Sequence, residues 1–317
     1  MPEHRALPLF SVIVPVYNRP KLVAEALDSV LSQSFTDFEV IAVDDGSTDE
    51  TPRILTGYAG RVRVLRQPNG GAGAARNLAL RHAHGEYAVF LDSDDLWPPW
   101  TLQVYAEILG GDDIPSLIVC VPVRRGLDDD AEKVARTALR APVLGDFLEI
   151  ARNMHDFRSG VLPVARVQAL LDAGGFPEPA MAFEDWDLLL RLGLEPIFSS
   201  VESPPLLIYR HHAASESHDP RLLHRGVTHC LAQEAAGHYP GGHARRRERR
   251  AILCSLLRFA IMRCLLGGEL QLGYSLYRRG LSLFIRERRW RLMAALPLVP
   301  LIHPLLPSGS LDPYFQR

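Results

Sequence analysis

Lysine is nearly missing from this 317-residue chain: two of its 35 basic residues are Lys and the rest are Arg. A bias of that kind arises from the base composition of a genome as readily as from ligand binding, so Arg content alone assigns no partner. Cysteine is scarce too. The four, at positions 120, 230, 254 and 264, include no CxxC pair, which argues against a zinc site and a disulfide framework and points to a reduced, cytoplasmic setting. No run reaches the roughly 18–20 continuous apolar residues of a membrane-spanning helix. The chain opens without the charged, apolar and small-residue succession of a secretory leader. Walker loops, GxGxxG turns, tandem repeats and low-complexity tracts are all missing.

What is present is a division of charge. The net charge of -2 is the sum of two opposed parts. Residues 1–220 carry 19 Lys or Arg against 32 Asp or Glu, and residues 221–317 carry 16 against 5. Two regions are therefore expected: an acidic body over 1–220 and a helical, Arg-rich region over 221–317. The second would meet an acceptor, an anionic membrane surface on the inner face, or a second copy of the chain.

The body alternates strand and helix. Leu9 to Val16 is a β-branched run that ends at Tyr17-Asn18-Arg19-Pro20, with Pro placed to start a helix. Phe38 to Val43 is a second apolar run, closed by Asp44-Asp45-Gly46-Ser47, and Val62 to Leu65 a short third. Tyr87 to Leu91 is the fourth, and it empties into Asp92-Ser93-Asp94-Asp95. This order predicts a mostly parallel, Rossmann-like sheet flanked by helices. Further on, strands are expected at Ser116–Val123, Ser159–Val164 and Leu206–Tyr209. Helices are expected at Ala165–Ala173 and Leu188–Leu194, with 124–146 a surface excursion.

Carboxylates at the end of a buried strand are costly unless a cation meets them. Asp92 and Asp94, two apart in an extended segment, face one side, where Mg²⁺ or Mn²⁺ takes one or two carboxylates plus diphosphate oxygens. A capped turn before Trp97-Pro98 is the plainer alternative. Asp44 and Asp45 form an ordinary turn, or else accept from the imide N–H of a base on which Tyr17 stacks. Asn69 to Asn77 (NGGAGAARN) brings glycines that admit a ligand, a helix N-terminus and Arg76, all suited to phosphate. Glu184 and Asp185 precede an apolar helix, as dipole-favoured acids or as a general base. His211 and His212 follow a strand end as metal or phosphate contacts, or as an exposed pair. The Arg245–Arg250 run is a solvated helix face or, with Trp290-Arg291 and the apolar Leu292–Leu306, a surface for anionic lipid. Aromatic residues are too sparse among these arginines for nucleic acid.

In order and spacing, SVIVPVYNRP, VIAVDDGSTDET, PNGGAGAARN, GEYAVFLDSDDLW and FEDWDLLLRL resemble the family 2 inverting glycosyltransferases of GT-A fold, over roughly residues 9–215. The resemblance implies transfer of a sugar from a nucleoside-diphosphate sugar, UDP-sugar favoured over GDP- or dTDP-sugar, to the hydroxyl of a glycan, lipid-linked or small-molecule acceptor. It implies that Pro15, Tyr17, Asp44, Asp45, Asn69, Gly71, Arg76, Asp92 and Ser93 hold the nucleotide sugar. Asp94, with Asp92 and His212, would bind Mn²⁺ or Mg²⁺, and Asp185, beside Glu184, would be the catalytic base. The chain departs from the long processive members in lacking spanning helices and a QxxRW-like motif. A sugar nucleotidyltransferase and a non-catalytic nucleotide-sugar-binding protein are the alternatives.

Overall fold

A computed structural model describes residues 7–126, 134–151, 162–178, 180–211 and 219–302. The elements run β1 Phe10–Val16, α1 Pro20–Leu31, β2 Phe38–Asp44, α2 Thr51–Thr56, β3 Arg63–Arg66, α3 Ala72–Leu80, β4 Tyr87–Phe90 and α4 Thr101–Leu109. Then come β5 Leu117–Cys120, β6 Val123–Gly126, β7 Val143–Leu144, α5 Phe147–Ala151, β8 Val164–Arg166, α6 Val167–Asp172 and α7 Glu184–Arg191. The chain continues with β9 Phe198–Val201, β10 Ile208–His211, α8 Pro220–Ala236, α9 Arg246–Leu266, α10 Leu270–Arg286, α11 Trp290–Ala295 and α12 Val299–Ile302. Two compact units result: Met1–Asp146 with Gly160–Ala180 and Glu195–His212, and Phe147–Ser159 with Met181–Leu194 and Ala213–Arg317.

The first unit is built on an eight-stranded sheet in the order β3-β2-β1-β4-β8-β5-β9-β7. Strand β1 is parallel to both β2 and β4, and all seven of its residues are buried. That double burial is why it reads as an unbroken apolar run. Chain order runs outward from β1 through β2 to β3, then returns to β4 on β1's other side, so the β1/β4 boundary is a switch point where a crevice opens at the strands' carboxyl ends. Leu91 N–H donates to the Ile13 carbonyl at 3.0 Å, which delivers Asp92 and Asp94 to that crevice.

The sheet is mostly parallel, as expected; β8, antiparallel to both β4 and β5, and β7, antiparallel to β9, are the exceptions. Three expectations need correction. Of the strand expected at Ser159–Val164, residues 159–161 lie outside the described residues; the observed strand is Val164–Arg166 and takes the first two residues expected of the following helix. Pairing decides this, since Ala165 and Arg166 sit opposite Ala88 and Tyr87. The run Ser116–Val123 breaks into β5 and β6 around Pro122, which has no N–H to give a ladder. Strand β10 lies at Ile208–His211, two residues later than expected, and pairs in parallel with β6. Strand β9 was not anticipated at all.

In the second unit, α8, α9 and α10 pack together. Ile252, Leu253, Leu256, Leu257, Ala260 and Ile261 of α9 are buried. Gly280 on α10 lets the helices approach closely: a Cβ there would lie 2.1 Å from Leu257 Cδ2. One residue of the Arg245–Arg250 run is no surface residue. Arg249 is 2% exposed and donates to Glu234 at 2.6 and 3.3 Å and to the Pro240 and Gly242 carbonyls at 2.7 and 2.9 Å. Helix α7 begins at Glu184, four residues before the apolar stretch, so Glu184 and Asp185 are its first two residues. Among the described residues no helix is long and apolar enough to cross a membrane. All four cysteines are free and buried.

Candidate active site

The loops after β1 and β2 are tied to each other. Asn18, at φ 49°, donates its N–H to Ser47 Oγ at 3.0 Å, and its Oδ1 accepts from Thr48 N–H at 2.9 Å. Arg19 N–H donates to Thr51 Oγ1, and Thr51 N–H, at the start of α2, donates to Asp49 Oδ1. Pro15 lies in β1 opposite Val43, buried, whereas Tyr17 at the mouth of the strand is 45% exposed. An exposed phenol ring at that place is available for stacking.

The two aspartates ending β2 divide their work. Asp44 caps its own turn, accepting from Ser47 N–H at 2.8 Å, and its other oxygen lies 3.2 Å from Arg66 Nε. Asp45 reaches across to the loop before α3. It accepts from Gln67 Nε2 at 2.8 Å and from the Gly70 and Gly71 N–H groups at 2.9 and 2.8 Å. Asn69 is exposed in that loop. Gly71, at φ 91°, forms the N-cap of α3, and a Cβ on it would meet Ala180 Cβ at 2.5 Å. Both the positive φ and the close approach require glycine. Gly71→Ala is expected to cost about 1–3 kcal/mol, read as a lower unfolding midpoint in urea.

Arg76 projects from α3 and is 3% exposed. Its Nη2 donates to Asp92 Oδ1 at 2.6 Å, and its guanidinium lies 5.3 Å from the centre of the Phe176 ring. The pair joins the phosphate-type helix end to the carboxylates at the end of β4. Ser93 is buried; Asp94 is partly exposed, with Arg19 Nη2 3.8 Å from its carboxylate. Asp95 turns inward at 2% exposure, and its carboxyl is pushed well above the usual range by burial, then by Asp94 and Asp92. Crowding of three acids is relieved by a cation. Donor chemistry fits Mg²⁺ or Mn²⁺, to which Asp94 and Asp92 would offer one or two carboxylates. Among the described residues no group of three His, Cys, Asp or Glu side chains makes a protein-only metal site. His212 lies outside the described residues.

Arg210, inside the Arg210-His211-His212 segment, is a residue sequence reasoning left without a role. It is 4% exposed. Its backbone N–H donates to Asp95 Oδ1 at 2.9 Å, its Nε to the Asp94 carbonyl and its Nη1 to Glu25. The turn that carries Asp92 and Asp94 is thus held from beneath by the last strand. Its only sequence signal was an arginine at a strand end.

Asp185 and Glu184 belong to the second unit, in the first turn of α7, preceded by Phe183 at φ 65°. Asp185 is 8% exposed, and its Oδ1 accepts from Trp186 N–H at 2.8 Å. Asp187, two residues on, is fully engaged: Oδ1 accepts from Tyr239 Oη at 2.7 Å and lies 3.3 Å from His229 Nε2, and Oδ2 accepts from Arg191.

Residues 11–159, just under half of the chain, match the family described as Glycosyl transferase family 2, and the sheet has a GT-A type fold. Chondroitin synthase of Escherichia coli is 34% identical over 192 residues, 59% of this chain and 27% of that protein. The structure of residues 1–349 of Staphylococcus aureus TarS in complex with UDP-GlcNAc is similar at TM-score 0.59 and 24% identity, covering 79% of this chain and 72% of that one. A mannosyltransferase from Pyrobaculum calidifontis in complex with GDP-Man and Mn²⁺ is similar at TM-score 0.51 and 22% identity, covering 94% and 88%. The alignment to the E. coli protein takes in under a third of that protein's length, and that to the first Rickettsia typhi relative 37%.

Proposed function

We propose that this chain transfers a sugar from a nucleoside-diphosphate sugar to an acceptor hydroxyl, with inversion at the anomeric carbon. The observation that carries the reading is the Arg76–Asp92 pair with Asp94 beside it, at the carboxyl end of β4 and at the sheet's switch point. Tyr17 would stack on the base and Asp45 would fix the loop that meets the phosphates. Arg76 would donate to the diphosphate as charge builds on it. Asp94 and Asp92 would hold Mn²⁺ or Mg²⁺, which when bound neutralises the leaving diphosphate.

In the transfer step the acceptor oxygen forms a bond to the anomeric carbon. Asp185 takes its proton, and the bond from that carbon to the diphosphate oxygen breaks, releasing the nucleoside diphosphate with the bonding pair. The likeness to TarS in its UDP-GlcNAc complex favours a UDP-sugar donor. Free, buried cysteines fit a cytoplasmic setting. The test is thermal unfolding with UDP-, GDP- and dTDP-sugars, each with and without Mn²⁺. A donor that binds only the folded chain raises the midpoint, and the expected result is a UDP-sugar shift that grows with Mn²⁺. No shift with any nucleotide sugar overturns the reading.

A further inference from the structure

The second unit holds a cavity of about 560 Å³ that the transfer reading does not use. Its walls are single stripes of three helices. Leu231 faces it from α8, Arg246, Arg250 and Leu253 from α9, and Arg279, Leu283 and Arg286 from α10. Positions 246, 250 and 253, and 279, 283 and 286, recur at helical spacing, so each helix turns one face to the same space. The volume falls in the range of small-ligand sites.

The charge of this cavity is one-sided. Glu234 is its one acidic lining residue, and that carboxylate is already held by the buried Arg249 at 2.6 and 3.3 Å. Arg246 adds only a contact of 3.9 Å to the same group. Among the described residues no carboxylate lies within ion-pair distance of Arg250, Arg279 or Arg286. Four guanidiniums therefore surround a concave space with no net counter-charge from the protein. A cleft of one sign focuses its potential, and guanidinium forks match phosphate oxygens in pairs. Leu231, Leu253 and Leu283 make the rest of the wall apolar. From the last turn of α10 onward the chain stays amphipathic: Ile285, Trp290 and Leu298 are 48%, 57% and 47% exposed, interspersed with Arg286, Arg288, Arg289 and Arg291.

We infer that the α8–α9–α10 cavity binds the phosphate of a phosphate ester that carries an apolar portion. Its source is either a lipid headgroup at a membrane surface or a soluble ester. The inference does not depend on the transfer reading, because its arginines lie in the other unit from Asp94 and its test measures binding alone.

Two probes separate the sources: inorganic pyrophosphate, read by calorimetry, and phosphatidylcholine vesicles with or without phosphatidylglycerol, read by co-sedimentation. The variants are Arg250→Gln with Arg279→Gln, and as a control Arg278→Gln with Arg225→Gln, which remove as much charge outside the lining. Circular dichroism confirms that all are folded. The expected result is that the cavity variant weakens binding by roughly tenfold or more, the worth of one charge-assisted hydrogen bond, while the control stays near the full-strength chain. That loss with phosphatidylglycerol vesicles assigns a lipid headgroup, and with pyrophosphate a soluble ester. Binding of neither probe, or equal losses in cavity and control variants, overturns the inference.

Discussion

Asp94→Asn is expected to lower sugar transfer by about 10²–10³-fold or more, with little change in thermal stability. Asparagine keeps the shape of the side chain and an oxygen acceptor but removes the charge that would hold a divalent cation against the diphosphate. The carboxylate is partly exposed and its ion pair with Arg19 spans 3.8 Å. Exposed pairs of that length contribute about 0–1 kcal/mol. Asp92→Asn is a sharper comparison. Arg76 is 4% exposed at its side chain and would lose the carboxylate at 2.6 Å, so that variant should lower both activity and the melting temperature. Transfer rates and melting curves of the two variants, measured in parallel with Mn²⁺, check the assignment. Transfer by Asp94→Asn at the rate of the unaltered chain would remove Asp94 from the metal role.

The legible part of the fold was the part buried on both faces. Strands β1, β2 and β4 are continuous apolar runs because helices cover the sheet on either side, and their ends are marked by the abrupt arrival of polar residues. Strand β9 hides for the opposite reason. Its centre is Ser199 and Ser200, at 0% and 4% exposure, and two hydroxyls inside a short strand erase the apolar signature although the strand lies between β5 and β7. Strand β8 is fixed by two-residue pairings with β4 and β5, which carry it two residues past the expected end at Val164.

The site divides in the same way. That Asp45 and Asp92 stand at strand ends followed from sequence. That Asp45 spends both oxygens on the loop 67–71 did not, because the partners are 22 to 26 residues away and meet only in the folded sheet. Arg210 is a stronger case, since its links to Asp94 and Asp95 cross more than a hundred residues of chain. Spacing in FEDWD likewise says nothing of how Asp187 is held by Tyr239, His229 and Arg191, a difference from the role proposed for Asp185.

That difference is itself a test of mechanism. Asp187 is 2% exposed and takes a hydrogen bond from Tyr239, a close His229 and an ion pair from Arg191, so its charge is spent on holding α7 to its neighbours. Asp187→Asn should therefore cost about 1–3 kcal/mol of stability, as buried donors lose a charged acceptor. Asp185→Asn should do the reverse. As the base it would leave donor affinity and melting temperature close to those of the unaltered chain and reduce turnover by about 10²–10⁴-fold, the usual worth of a general base. Donor titration by calorimetry, turnover at saturating donor and a melting curve, made on both variants, give a crossed pattern if Asp185 accepts the acceptor's proton. Should Asp185→Asn turn over normally, or lose donor binding along with turnover, the base lies elsewhere and α7 contributes only structure.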